Sequence, residues 1–409
     1  MTDLAHVAIR TQQDGAIERL RALVMSDTAM ADSLAQIAEP GPFAKRAVRI
    51  AAERGIALTP QDLQAAMQPD PLGLSRWAAP AMLGRAWPSR QWLPLWAFAA
   101  QGRVYVDWAH FGGVPLTASF FEDSIREALR RPFNRLFRYR MTLEDFAAGQ
   151  DGESLVPDGF IFHMSRCGST LVTQMLAALP HVIAISEAAP IDFIAQLNVG
   201  VLRLSPAEET RYLHAMVAAY GRRRSGGEHH FVIKLDCWHA LALPLFRQAF
   251  PSTPWIFLYR EPLEVLVSQM WQRGTQMVPQ IVPASVFGLD EDSVPNDEYC
   301  AKVLQTICTA VADGVSLGGG LLVNYRELPA AVATRILPHF GMTANESDCA
   351  LMQQAARMDA KSPSSPFSDD RAAKHGAATE AVRAAADRYL AGVYDRLEAL
   401  RGEATDAAE

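Results

Sequence analysis

The densest chemistry in this sequence lies in one short turn, Ser165-Arg166-Cys167-Gly168-Ser169-Thr170. An apolar run, Phe160-Ile161-Phe162, precedes it, and Leu171, Met175, Leu176 and Leu179 follow at helical spacing. Strand, tight loop and helix together make a cradle for an anion. The first amides of a helix have no intrahelical partners, and the helix dipole concentrates positive charge there. Gly168 permits close backbone approach, Ser169 and Thr170 add hydroxyl donors, and Arg166 adds a permanent planar cation. The loop is not the GxxxxGK[ST] loop of nucleoside triphosphatases, because Ser169 follows Gly168 where a lysine would stand. The ordinary alternative is a plain strand-turn-helix, with Gly168 in the turn and Ser169 or Thr170 as the N-cap.

Further polar residues sit just after other apolar runs. Strand-like runs are Phe160 to Met164, Val182 to Ser186, Phe231 to Leu235, Trp255 to Tyr259 and Leu321 to Tyr325, with helical patterns between most of them. That alternation predicts an α/β fold with a parallel sheet flanked by helices, whose ligands bind beyond the carboxyl ends of the strands. At those ends stand Glu187; Lys234, Asp236 and His239; Arg260, with Ser268 on the next helix; and Tyr325-Arg326-Glu327. Each has an ordinary reading: a cap for Glu187, an ion pair of Lys234 with Asp236, a pair of Arg260 with Glu261 or Glu264. Together they make an anion site with its own acid-base groups. No cluster of carboxylates or histidines shows metal-ligand spacing, so no metal is expected.

The loop FIFHMSRCGSTLVTQML together with WIFLYREPLEVLVSQM resembles the PAPS-dependent sulfotransferases, over roughly residues 157 to 400. The Arg-x-Gly-Ser-Thr form of the loop is nearer the tyrosyl-protein and carbohydrate branches than the small-molecule branch, which carries lysine there. The resemblance implies a P-loop-type domain over 151–409 that takes PAPS as co-substrate and leaves PAP as product. It implies that Arg166, Cys167, Gly168, Ser169 and Thr170 hold the 5′-phosphosulfate, and that Arg260 and Ser268, eight residues apart, hold the 3′-phosphate. It makes Arg166 and Lys234 the cations at the transferring group. For the general base it leaves a choice between Glu187, at the position used by the tyrosyl-protein branch, and Asp236, where the small-molecule branch has histidine; His239 is third, and Glu187 is preferred. The stretch Lys361 to Lys374 falls where the family closes a loop over the nucleotide, without a clear R-K-G signature.

The rest of the chain sets bounds. With 409 residues, 49% hydrophobic and 20% charged, it has material for two or three domains and large cores. A net charge of -7 argues against a general nucleic-acid binder, so any anion site must be a local concentration of Arg and Lys. Five cysteines without a C-x-x-C pair argue for reduced thiols, and the N-terminus lacks a signal-peptide pattern. Apolar runs such as Trp92 to Ala100 are short for a membrane span, so a cytoplasmic protein is expected.

Residues 1–68 read as small amphipathic helices, with Thr59 as an N-cap before Pro60. Their layout over about 14–68 resembles the nitrogen-fixation-associated (Nif-eleven) leader-peptide family, which implies a peptide or protein partner for a domain of 1–68. Residues 69–150, rich in aromatics and proline, read as a connecting region with an arginine cluster from Arg126 to Arg140. That cluster is either an acceptor surface or aromatic packing with a solvated face. The expected activity is transfer of a sulfuryl group to a hydroxyl or amine of a small-molecule or peptide acceptor. The alternatives are an ATP-dependent P-loop kinase and a non-catalytic nucleotide- or peptide-binding module.

Overall fold

The computed structural model describes residues 15–68, 82–149, 153–200, 202–279, 281–290, 294–366 and 370–406. The chain forms two compact units. One comprises the residues up to Val114 with Glu122–Ser154 and His214–Gly226; the other comprises Pro115–Phe121, Leu155–Leu213 and Gly227–Glu409.

The first unit begins with helices over 15–25, Thr28–Ala35, Pro40–Glu53 and Pro60–Ala66. They form because one stripe is apolar: Leu20, Val24, Leu34, Phe43, Ala47 and Ala51 are all fully buried. Thr59 caps as its sequence demands. Its hydroxyl accepts from the Asp62 amide at 3.2 Å, the Asp62 carboxylate accepts from the Thr59 amide at 2.8 Å, and Pro60 takes the first helical position. The helices and the aromatic region belong to the same unit, joined for example by Arg21 Nε donating to the Leu136 carbonyl at 2.7 Å.

A four-stranded sheet follows, β1 (Met82–Leu83), β2 (Trp92–Ala100), β3 (Arg103–His110) and β4 (Tyr139–Thr142), in the order β1-β4-β3-β2. The apolar run at Trp92 is thus a strand. It pairs antiparallel with β3 through Gln101-Gly102, both with positive φ (51° and 73°), the backbone a two-residue hairpin requires. The arginine cluster is largely absorbed into packing. Arg140 forks onto Asp107 at 2.6 and 2.9 Å and lies over the Phe98 ring at 4.8 Å, while Arg138 covers Trp96 at 5.5 Å. Arg126 stays exposed beside Asp123.

The second unit is built on a parallel sheet of β5 (Gly159–His163), β6 (Val182–Ser186), β7 (His230–Lys234), β8 (Trp255–Tyr259) and β9 (Gly320–Asn324), in the order β6-β7-β5-β8-β9. Every residue of β5, β6 and β8 is buried, as expected for strands covered on both faces. The chain winds to one side of β5 for β6 and β7 and to the other for β8 and β9, which puts the switch point of the sheet at β5. Among the described residues one helix, Asn296 to Leu317, is long and apolar enough to cross a membrane. Its buried residues Tyr299, Cys300, Val303, Leu304, Ile307, Cys308 and Val311 recur along one face, the pattern of a helix laid against a protein core.

Asp107 is wholly buried and depends on one cation. Arg140→Met should therefore cost about 3–5 kcal/mol by stranding that carboxylate. Urea denaturation checks this, and the double variant Arg140→Met/Asp107→Leu should recover much of the loss.

Candidate functional site

After β5 the chain makes a tight loop into the helix Ser169–Ala177. Ser165 and Arg166 both adopt positive φ (79° and 53°), as does Gly168 (87°). Among the described residues only four non-glycines have positive φ, and three of them, Ser165, Arg166 and Glu187, are residues singled out above or their neighbours. Such backbone costs roughly 1–3 kcal/mol per residue and persists where surrounding structure imposes it, which is common at binding sites. A Cβ on Gly168 would lie 2.8 Å from both Leu328 Cδ1 and Tyr325 Cδ2, so the loop tolerates only glycine there. The Cys167 side chain turns inward, its thiol donating to the Leu258 carbonyl at 3.0 Å, and burial pushes its pKa up to about 11. Cys167 therefore contributes backbone alone to the loop. Arg166 donates to the Gln272 carbonyl, and Gln269 Nε2 donates to Ser165 Oγ at 3.1 Å while its Oε1 accepts from the Gly274 amide at 2.9 Å. The turn after the helix Pro262–Trp271 is thereby tied to the anion loop.

Lys234, the last residue of β7, is buried, and its ammonium is the centre of the rim. Nζ lies 2.6 Å from Glu187 Oε1, 3.3 Å from Thr170 Oγ1 and 3.4 Å from Ser186 Oγ, and 4.9 Å from the centre of the Phe120 ring. Its acidic partner is thus Glu187 rather than the Asp236 two residues on. Sheet register explains this: Ser186 is the partner of Lys234 across β6 and β7, so Glu187 emerges directly beside it. Burial alone would raise the Glu187 pKa, but Lys234, with help from His163, holds the carboxyl well below the usual carboxylate range. The Glu187 side chain keeps 22% exposure, enough to meet a ligand.

His163 is a member of the site that the sequence reading passed over, because it ends an apolar run. Its Nδ1 accepts from the Ser165 amide at 3.1 Å, which places the proton on Nε2. Nε2 faces the Leu235 carbonyl at 2.9 Å and Glu187 Oε1 at 3.4 Å, and burial lowers its pKa, so the ring is a neutral donor to Glu187.

Asp236 opens the turn Cys237–Ala242, and its amide donates to His239 Nδ1 at 3.2 Å. Burial, followed by the charges of Glu187 and Asp192, raises its carboxyl to about 7 against the pull of His239 and Lys234. His239 Nε2 reaches Asp192 Oδ1 at 2.8 Å, and Trp238 Nε1 and Gln196 Nε2 each donate to the same oxygen at 2.6 Å. The fold thus gathers Asp192, Asp236 and His239 within metal-ligand range of one another, a cluster invisible in their spacing. Both nitrogens of His239 are committed to hydrogen bonds, however, so the cluster is a hydrogen-bonded network and not a ready ligand set.

A second cationic cluster forms beyond β8. Arg260 is buried, with Nε donating to Glu264 Oε2 at 2.5 Å and Nη2 lying 3.3 Å from Asp370. Its guanidinium covers the Tyr325 ring at 4.0 Å. Lys374 reaches Asp370 at 2.8 Å and Arg371 reaches Glu264 at 3.4 Å, so the segment from Asp370 closes on Arg260. Ser268 is half-buried on the helix that Arg260 precedes. Of the fifth strand end, Tyr325 joins this cluster, while Arg326 pairs with Glu398 and Glu327 with Arg335.

No family model matches the chain, and no curated protein does. Solved structures that resemble it include the sulfotransferase domain from the curacin biosynthetic pathway, 16% identical over 57% of this chain and 98% of that one, TM-score 0.36. The sulfotransferase domain of the Synechococcus PCC 7002 olefin synthase is 17% identical over 61% of this chain and 96% of that one, TM-score 0.36. A Mycobacterium avium sulfotransferase is 14% identical over 60% and 78%, TM-score 0.35.

The Lys234–Glu187 pair sets a pH dependence. The folded pKa of Glu187 lies below its ordinary value of 4.5, so its stabilisation is present above that pH and fades as pH falls toward the folded value. Lys234→Met should lower stability at pH 7 by about 2–4 kcal/mol, discounted for the partial exposure of Glu187. Denaturation curves should show the deficit shrinking as pH falls: first above 4.5, where the stranded and buried carboxyl of the variant takes up a proton, and further below 4.5, where the parent loses the stabilisation of its ion pair.

Proposed function

We propose that this chain transfers a sulfuryl group from PAPS to a hydroxyl or amine of an acceptor. One observation carries the reading: a buried ammonium, a carboxylate and an anion-loop hydroxyl converge at the carboxyl ends of adjacent strands, with Lys234 Nζ 2.6 Å from Glu187 and 3.3 Å from Thr170. Such a centre suits an in-line displacement at a strongly anionic group, where catalysis is mostly positioning and electrostatics. The second cluster suits a further phosphate. Arg260 has a rigid fork already oriented by Tyr325 and Glu264, and its other partner, Asp370, is half-exposed and able to give way.

In this reading the loop amides, Ser169 and Thr170 hold the 5′-phosphosulfate, and Arg260 with Ser268 holds the 3′-phosphate. Glu187 takes the proton from the attacking acceptor. The acceptor oxygen or nitrogen bonds to sulfur as the sulfur–oxygen bond to the 5′-phosphate breaks, and that phosphate keeps the electron pair. Arg166 and Lys234 neutralise the charge that builds on it. His163 steadies Glu187 by a neutral hydrogen bond. Asp236, at about 7, has the higher proton affinity but opens a turn tied to His239, and is assigned to orienting that turn.

The donor assignment is tested by calorimetric titration with PAP. Arg260→Ala should lose about 10- to 100-fold in affinity for PAP and little for AMP, which lacks the 3′-phosphate. Equal losses for both would make Arg260 structural. Saturable binding of ATP with magnesium-dependent transfer, and none of PAP, would replace this reading with a kinase.

For the base, Glu187→Gln should keep PAP affinity and slow transfer by about 10²-fold or more, while Asp236→Asn costs less. Rates are to be read with chelator present, where the parent should remain active. The roles are reversed if Glu187→Gln matches the parent and Asp236→Asn is inactive with PAP binding intact.

A further inference from the structure

A hairpin far along the chain reaches the same strand ends. β10 (Met358–Asp359) pairs antiparallel with β11 (Ser362–Pro366), and Ala360-Lys361 forms the turn. The Ala360 carbonyl accepts from Ser119 Oγ at 2.6 Å. Ser119 is itself buried, and its carbonyl accepts from Ser186 Oγ at 2.9 Å, one residue before Glu187. The next residue, Phe120, lays its ring over the Lys234 ammonium. Three segments distant in sequence are thus joined by two hydrogen bonds beside the Lys234–Glu187 pair. Ser119 is the link, and it holds the hairpin turn at the rim.

Lys361 is the residue this clip delivers. Its amide donates to Asp359 Oδ1 at 2.9 Å, which fixes the turn. The side chain keeps access to solvent, yet burial is the largest cause drawing its pKa down to about 8, a combination that fits the wall of a cleft. The groups that act on it are those of the site: Arg166 and Lys234 lower its pKa, and Glu187 and Cys167 raise it. A third cation gathered close to two others is costly unless an anion occupies the space between them.

We propose that Lys361 is a third cation of the transfer site, positioned by Ser119, and that it binds the same anionic group as Arg166 and Lys234. This rests on the sulfuryl-transfer reading for the identity of that group; for the existence of the subsite it rests on the hydrogen bonds of Ser119 that hold the turn beside the Lys234–Glu187 pair, with the shift of Lys361 in support. Protonated Lys361 binds the anion; the free protein loses that charge as pH rises through about 8, and a bound anion shifts the loss upward.

Titration calorimetry from pH 6.5 to 9.5 with PAP, and separately with inorganic pyrophosphate, tests this. The parent should lose about tenfold or more in affinity over the upper half of that range and take up protons on binding near pH 8–9. Lys361→Arg, whose charge does not titrate there, should bind with nearly constant affinity, and Lys361→Met should be about 10- to 100-fold weaker at pH 7. Ser119→Ala should weaken binding in the same direction, with recovery in Ser119→Thr. The proposal is overturned if Lys361→Met matches the parent at pH 7, or if Lys361→Arg keeps the parent's decline. Lys361-dependent binding of pyrophosphate without binding of PAP would sustain the subsite and refute the nucleotide. Binding of neither would refute both.

Discussion

A lysine buried at the end of a central strand must have its charge answered, and in this protein that requirement shapes the whole rim. The Lys234 ammonium cannot be hydrated where it sits, so the fold surrounds it with the Glu187 carboxylate, the hydroxyls of Thr170 and Ser186, and the face of Phe120. They come from three segments: Ser186 and Glu187 from the end of β6, Thr170 from the helix after β5, and Phe120 from before both. Glu187 is held at positive φ to reach it, and His163 is fixed in one tautomer to support Glu187. Backbone strain is concentrated where this convergence is made, and the cost is carried by the buried strands behind it.

The two cationic clusters follow one electrostatic logic. In both, an arginine or lysine is buried against an aromatic ring and answered by a carboxylate: Lys234 by Phe120 and Glu187, Arg260 by Tyr325 and Glu264. The ring fixes direction without consuming hydrogen-bond donors, and the carboxylate neutralises the cation. The protein's overall charge of -7 does not describe these clusters, because each is a local concentration of buried cations. The difference between the clusters lies in their acids. Glu187 sits where a proton acceptor is useful, whereas Glu264 is buried and Asp370 arrives on a separate segment that closes over Arg260.

The sequence by itself determined the parallel sheet and its chemistry-bearing ends. Buried parallel strands are near-continuous apolar runs, so Val182–Ser186 and Trp255–Tyr259 were legible to the residue and the other three to within one position. The glycine of the anion loop, the cap at Thr59 and the eight-residue interval from Arg260 to Ser268 are local features, and local features are written in local spacing. β2 was not legible as a strand, because its pairing with β3 and the irregularity after Pro94 are properties of the hairpin. Only the tertiary structure decided who partners whom. Spacing along β7 offered Asp236 to Lys234, but the register of β6 against β7 delivers Glu187 instead. Ser119, Phe120 and Lys361 lie 114 or more residues from Lys234 in either direction, and no periodicity in the chain connects them. Their meeting is set by hydrogen bonds between segments whose separation carries no pattern, so only folding brings it into view.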